Sequence, residues 1–198
     1  MRIVFATMVA VLFSGKFVLA NECHDRFVDL LINGNEKGPV TIQVTQEVKG
    51  APVSKSVFYQ AVTGHWMTEM VEPENQDWVL TYNDTMYTSS DKGKSWNKIR
   101  TLDSANNEEV SRKNLVENSA TARNAVCGQE EIDGIQHETV EADYDTLQNF
   151  RTENHFKYWI NPETGWITKA TYLVKGQGFE SFTTQFPVPA PDLELPMP

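Results

Sequence analysis

Acid, base or metal chemistry would need histidines and carboxylates in particular arrangements, and this chain offers few. Its four histidines, His24, His65, His137 and His155, are scattered, with no HExxH and no two at metal-ligand spacing, so structural or surface roles suit them. Glu108-Glu109, Glu130-Glu131 and Glu72/Glu74 are the carboxylate pairs. Residues adjacent on a strand point to opposite faces, so a glycosidase dyad with carboxyls about 5–10 Å apart would have to be assembled by the fold. There is no GxSxG elbow and no Walker loop, and Gly176-Gln177-Gly178 leads from one strand pattern into another rather than into a helix. No catalytic residue, cofactor or metal follows from these residues.

The positive signal is the chemistry of apolar binding. Five tryptophans, Trp66, Trp78, Trp96, Trp159 and Trp166, stand on or beside strand patterns with Met67, Met70, Met86, Phe58 and Tyr172. That is more aromatic surface than one sheet and two thin helices need for a core. A curved sheet closed around a cavity would suit an acyl chain, with methionines adapting to its shape. Phe58, Trp66, Met70, Trp78, Met86, Phe156, Tyr158 and Tyr172 are the candidate ligand-contacting residues. Trp159 falls on the polar side of its strand, where a cross-strand pair with Trp166 is expected.

Several elements must position these side chains. Residues 150–160 alternate, with Phe150, Phe156, Tyr158 and Ile160 apolar and Arg151, Glu153, His155 and Lys157 polar between them. Asn161-Pro162-Glu163-Thr164-Gly165 is a turn sequence, strands follow at 166–174 and 179–186, and Phe182 and Phe186 share a face. A sheet with one apolar and one wet side results.

Upstream, Phe27, Leu30 and Leu31 make residues 21–33 an amphipathic helix stopped at Asn33-Gly34. Strand patterns cover 41–48, 53–62, 65–71, 78–82, 85–89 and 96–100. Residues 103–122 lack strand character and read as one helix, or two broken near Asn114, with an intermittent apolar side of Val110, Leu115, Val116 and Ala120. Asp133-Gly134 is a strong hairpin signal between strands at 124–131 and 135–144. The Pro-rich residues 187–198 read as an extended tail.

Residues 1–20 read as a secretory signal peptide, with Arg2 at the head, an apolar run and Val18-Leu19-Ala20 before the cut. The run is too short to span a bilayer. Without Arg2 and Lys16 the chain keeps 15 basic residues against 27 acids, a net charge of −12, which speaks against nucleic acid and anionic head groups as electrostatic partners. Cys23 and Cys127 are the two cysteines, and in an exported chain a bridge between them is expected. One domain, 21–186, is the expected organisation.

Two local motifs resemble known families. Ser89-Ser90-Asp91-Lys92-Gly93-Lys94-Ser95-Trp96 resembles the Asp-box hairpin of sialidase-type propellers, a folding device in which Asp and Ser satisfy turn amides while Trp packs beneath. A single copy does not make a propeller. The hairpin Tyr158-Trp159-Ile160-Asn161-Pro162-Glu163-Thr164-Gly165-Trp166-Ile167-Thr168-Lys169, with the element order around it, resembles the bacterial lipoprotein-carrier superfamily, LolA-like or LppX-like. That resemblance implies an α+β fold. Its curved antiparallel half-barrel sheet, of about 9–11 strands, would be plugged on its concave face by helices.

The expectation is a non-catalytic, monomeric periplasmic carrier for a hydrophobic small molecule, lipid acyl chain or lipoprotein, neither nucleic-acid-binding nor integral to the membrane. The alternatives are an envelope protein-protein interaction module and a carboxylate-dependent hydrolase.

Overall fold

Phe27, Leu30 and Leu31 recur at helical spacing and fix the first element, α1 (Ala20–Asn33), whose stripe is buried, Phe27 completely. The helix stops where the Gly34 N–H turns back to the Leu30 carbonyl at 2.9 Å. The computed structural model describes residues 20–35, 38–62, 64–148 and 150–198, so the signal-peptide reading of 1–20 lies, but for its last residue, outside the described residues.

After α1 the chain forms a meander of β1 (Val40–Val48), β2 (Ser54–Val62), β3 (His65–Glu72), β4 (Trp78–Tyr82), β5 (Thr85–Ser89) and β6 (Asn97–Thr101). It then crosses through α2 (Ser104–Ser119) into a second meander. The strands there are β7 (Arg123–Ile132), β8 (Ile135–Thr146), β9 (Thr152–Ile160), β10 (Ile167–Gly176) and β11 (Phe179–Pro189). The two meanders meet where β1 pairs with β11, giving one antiparallel sheet of 11 strands in the order β6-β5-β4-β3-β2-β1-β11-β10-β9-β8-β7. The sheet is curved and open, a half-barrel with two helices, as expected.

Local chemistry explains the joints. Asp133 (φ 51°) and Gly134 (φ 81°) both take positive φ, the requirement of a type I′ hairpin turn. Asn161 Oδ1 accepts from the Glu163 and Thr164 amides at 2.9 and 3.2 Å, closing the turn between β9 and β10. Asp103 caps α2 by accepting from the Asn106 amide at 3.1 Å. The helix runs unbroken past Asn114.

The inner face of the sheet carries Val140, Ala142, Tyr144, Tyr158, Ile160, Ile167 and Ala170, and α1 lays Phe27, Leu30 and Leu31 on them. A Cys23–Cys127 disulfide ties α1 to β7 across a separation of 104 residues. In the chain-entropy description that closure is worth about 4–5 kcal/mol.

Four expectations need correction. β9 begins at Thr152, and Phe150, before it, is 84% exposed, so its place in the apolar pattern was accidental. Phe182 and Phe186 do share a face, but it is the outer, solvated one, while Ser181, Thr183 and Gln185 point inward on β11. Val110 and Val116 of α2 are also exposed; only Leu115 of the expected stripe packs against the core. Residues 187–189 belong to β11 and pair with β1, and the Ala190 amide bonds to the Pro39 carbonyl at 2.9 Å.

Candidate functional site: an aromatic groove on the inner face

The helices cover the sheet unevenly. α1 packs on β7 and β8, while α2 packs on α1 and β8, so the main cover lies over the second meander. Inner-face side chains of β1, β2, β3 and β5 therefore line a half-open groove of about 910 Å³ that runs from the α1–β9–β10 region to β6. That volume is in the range of small-molecule and lipid sites.

Its floor is built by strand alternation. Across the first meander, antiparallel pairing lines up Val40, Gln60, Trp66, Thr81, Met86 and Arg100 in one row. All of these except Thr81 line the groove. Thr81 is completely buried beneath them, and its Oγ1 has no hydrogen-bond partner among the described residues. Phe58 and Ile42 form a second row, and the Phe58 and Trp66 rings lie 6.0 Å apart.

The other end is a cluster of rings: Phe156 and Tyr172 meet edge to face at 4.4 Å, Tyr144 and Phe156 at 4.9 Å, and Phe27 and Tyr158 lie 6.0 Å apart. Burial pushes the Tyr172 hydroxyl up to about 12 and raises those of Tyr158 and Tyr144 as well, so this end stays uncharged at physiological pH.

Six of the eight candidate residues, Phe58, Trp66, Met86, Phe156, Tyr158 and Tyr172, line the groove. Met70 and Trp78 do not. Met70 is on the inner face beyond the end of the groove, and Trp78 is on the opposite face, in the row of Leu80. There Trp78 donates from Nε1 to the Met70 carbonyl at 3.2 Å and packs with Trp96 around Gly93, where an added Cβ would come within 3.2 Å of the Trp78 ring.

This second small core is closed by the Asp-box-like hairpin. Asp91 Oδ1 accepts from Ser89 Oγ and the Ser95 amide at 2.7 and 2.9 Å, and Oδ2 from Ser95 Oγ at 2.6 Å. Ser89 Oγ takes the Gly93 amide at 2.8 Å, and Gly93 holds φ at 81°, which favours glycine.

Pairing sets Trp159 against Lys169, not Trp166: the turn already pairs Ile160 with Ile167 and leaves Trp166 beside Asn161, and a bulge between Ile167 and Lys169 then shifts the register by one more residue. Lys169 Nζ lies 4.3 Å from the Trp159 ring centre, and the Trp166 indole donates instead to the Pro187 carbonyl at 3.2 Å.

Sequence reasoning missed the polar residues of the groove. Gln60 is two positions from Phe58 on one strand face, a legible signal, but Arg100, Glu108 and Arg112 reach the groove through tertiary placement alone. Arg112 Nη2 donates to Asn33 Oδ1 at 3.0 Å and links the two helices. Glu108 is the single carboxylate among the described lining residues, and a paired-carboxylate hydrolysis would need a second beside it. Among the described residues no group of three or more His, Cys, Asp or Glu could hold a metal ion, and no helix is long and apolar enough to cross a membrane.

No protein-family model and no curated protein matches the sequence. Solved structures similar to it include a chain of the MucA/MucB complex of Pseudomonas aeruginosa, 13% identical with a TM-score of 0.43, covering 87% of this chain and 58% of that one. This chain thus spans 58% of that chain's length. A LolA superfamily protein from Nitrosomonas europaea is 7% identical with a TM-score of 0.35, covering 90% and 96% of the two chains. A domain named for outer membrane lipoprotein sorting, from Vibrio parahaemolyticus, is 12% identical with a TM-score of 0.35, covering 89% and 95%.

Proposed function

We propose that the protein is a non-catalytic, monomeric carrier of the bacterial periplasm that shelters a lipid acyl chain, free or as part of a lipoprotein, in the inner-face groove. The carrying observation is the hollow itself. A sheet that needed only a core would bring its helices down on Phe58, Trp66 and Met86, yet these three are half-buried around open space. Uncharged aromatic and thioether surface is suited to acyl chains of varying shape. The disulfide suits an oxidising compartment, in keeping with the signal-peptide reading.

The test is native mass spectrometry of the gently purified protein. A population heavier by the mass of a lipid, removed by organic extraction and restored by adding a fatty acyl ligand, is the expected result. A chain that leaves the cell lipid-free and refuses every acyl ligand offered contradicts the carrier reading.

A second reading has its own observation: Phe182, Phe186 and Val188 make an exposed row on the outer face of β11, as an envelope protein-protein interaction module would present. Co-purification of a defined protein complex in place of lipid would favour it.

A further inference from the structure

We propose that the groove recognises its cargo through the acyl carbonyl: the Tyr158 and Tyr172 hydroxyls donate to the carbonyl oxygen of an ester- or amide-linked acyl chain, which runs from there over Ile42 and Phe58 to Trp66. The inference rests on the carrier reading and adds the chemical class of the cargo and the residues that select it.

A buried tyrosine ordinarily finds a partner for its hydroxyl, because an unpaired polar group held away from water costs free energy. Tyr158 is 4% exposed, yet its hydroxyl makes no hydrogen bond to any described residue. Neither does the hydroxyl of Tyr172, half-buried beside it, nor that of Tyr144, the third tyrosine of the cluster. Tyr59 on the outer face is the contrast, since it donates to Glu69 at 2.9 Å. Polar side chains do stand on the same inner face. Thr183 pairs with Tyr172, and Gln185 pairs with Ala170, which in turn faces Tyr158, but neither is bonded to a tyrosine.

The two hydroxyls open on the groove. Tyr158 and Tyr172 line it, and Thr81 Oγ1 is the one partnerless side-chain N or O that is wholly sealed among the described residues, so theirs reach free space. They also lie together: the rings stand on the neighbouring strands β9 and β10, edge to face, with centres 6.2 Å apart. Burial first, and then the nearness of Tyr172, raises the Tyr158 hydroxyl, so it remains an O–H donor at neutral pH.

A carbonyl oxygen has two lone pairs and can accept from both phenols while carrying no charge into the ring cluster. A plain hydrocarbon laid over the same hydroxyls would strip their water and return no bond. The floor beyond suits the rest of the molecule. From Tyr172 on β10 the groove is lined in strand order by Pro187 on β11, Ile42 on β1, Phe58 on β2 and Trp66 on β3. Four strand spacings make roughly 19 Å of apolar floor, and an extended acyl chain is of that order of length.

The test compares palmitoylglycerol, an ester, with hexadecylglycerol, the ether that has a methylene where the ester has its carbonyl. Each displaces a bound naphthylamine probe from the delipidated full chain. The ester is expected to bind on the order of tenfold more tightly. Tyr158→Phe and Tyr172→Phe, each deleting one oxygen and keeping the ring, should each remove part of that advantage and together all of it, with the ether bound no more weakly than before. Tyr87→Phe, in the row of Leu80 on the opposite face, should leave the advantage intact. In isotope-edited infrared spectra, the ester carbonyl band should lie at lower wavenumber on the unmodified chain than on the double variant.

Equal affinity for ester and ether in the unmodified chain overturns the proposal and leaves the carrier reading standing. So does an ester advantage, or a lowered carbonyl band, that survives the double substitution. A double variant that weakens both lipids alike also overturns it, since the tyrosines would then only shape the groove. Failure of both lipids to bind overturns the carrier reading itself.

Discussion

Trp159 on β9 donates its indole N–H to Glu130 on β7 at 2.8 Å, reaching over the whole width of β8. The path is open because Gly128, facing Thr139 in the row that Trp159 continues, has no side chain to obstruct it. Lys157 also donates to Glu130, and these two bonds, Lys157's first, hold the Glu130 carboxyl below its usual range. The buried indole is thus a brace for the edge strand.

Trp159→Ala is therefore expected to cost about 3–5 kcal/mol in urea unfolding, with the largest rise in amide exchange on β7. Trp159→Phe, which keeps most of the ring and loses the donor, should cost on the order of 1 kcal/mol.

Acid should loosen the hairpin under Trp78 and Trp96. The hydrogen bonds from Ser95, side chain first and backbone second, and then from Ser89 lower the Asp91 carboxyl from 3.8 to about 2. A depressed folded-state value stabilises the ionised form, so its contribution is whole above 3.8 and is lost as pH falls from there towards 2. Near-ultraviolet circular dichroism of the tryptophans should fall across that window. Asp91→Asn should show the loosened signal already at neutral pH and lack the Asp91 step.

Thr81 buries a hydroxyl with no partner among the described residues, between Trp66 and Met86 in the floor. Thr81→Val removes the unpaired polar atom at almost constant shape and should stabilise the fold by about 1 kcal/mol, read as a higher urea midpoint. A loss of that size would show that the hydroxyl is satisfied in solution.

Filling the groove separates binding from folding. Ile42 and Gln60 both line it from neighbouring strands, neither fully buried. Ile42→Trp with Gln60→Trp should weaken acyl-ligand binding on the order of tenfold or more, measured by displacement of a fluorescent fatty acid. The urea midpoint should barely move.

Much of the scaffold was legible because local chemistry and tertiary structure agree. β4 and β5 keep the limits read from Trp78 to Tyr82 and Thr85 to Ser89, and Asp133-Gly134 and Asn161 turn the chain where their backbone preferences demand. What failed was facing. Trp78-Val79-Leu80-Thr81-Tyr82 has no clean alternation, so nothing local said that Trp78 would point away from Trp66. Trp159 was read against Trp166, but the turn sets Ile160 opposite Ile167 and leaves Trp166 beside Asn161, a register that residue type does not reveal. Phe182 and Phe186 look like core and are not, since β11 turns Ser181, Thr183 and Gln185 inward. The groove's arginines were illegible for another reason: Arg100 and Arg112 are brought to one groove by the crossover from β6 through α2, a relation of topology and not of spacing.

The seam between β1 and β11 has a biosynthetic consequence. Val40 finds Pro189 only after every strand between them has been made, so a growing chain carries β1 as a naked sheet margin until β11 follows. The last strand to emerge closes the middle of the molecule, and truncation before Phe179 would leave two half-sheets prone to join with those of other chains.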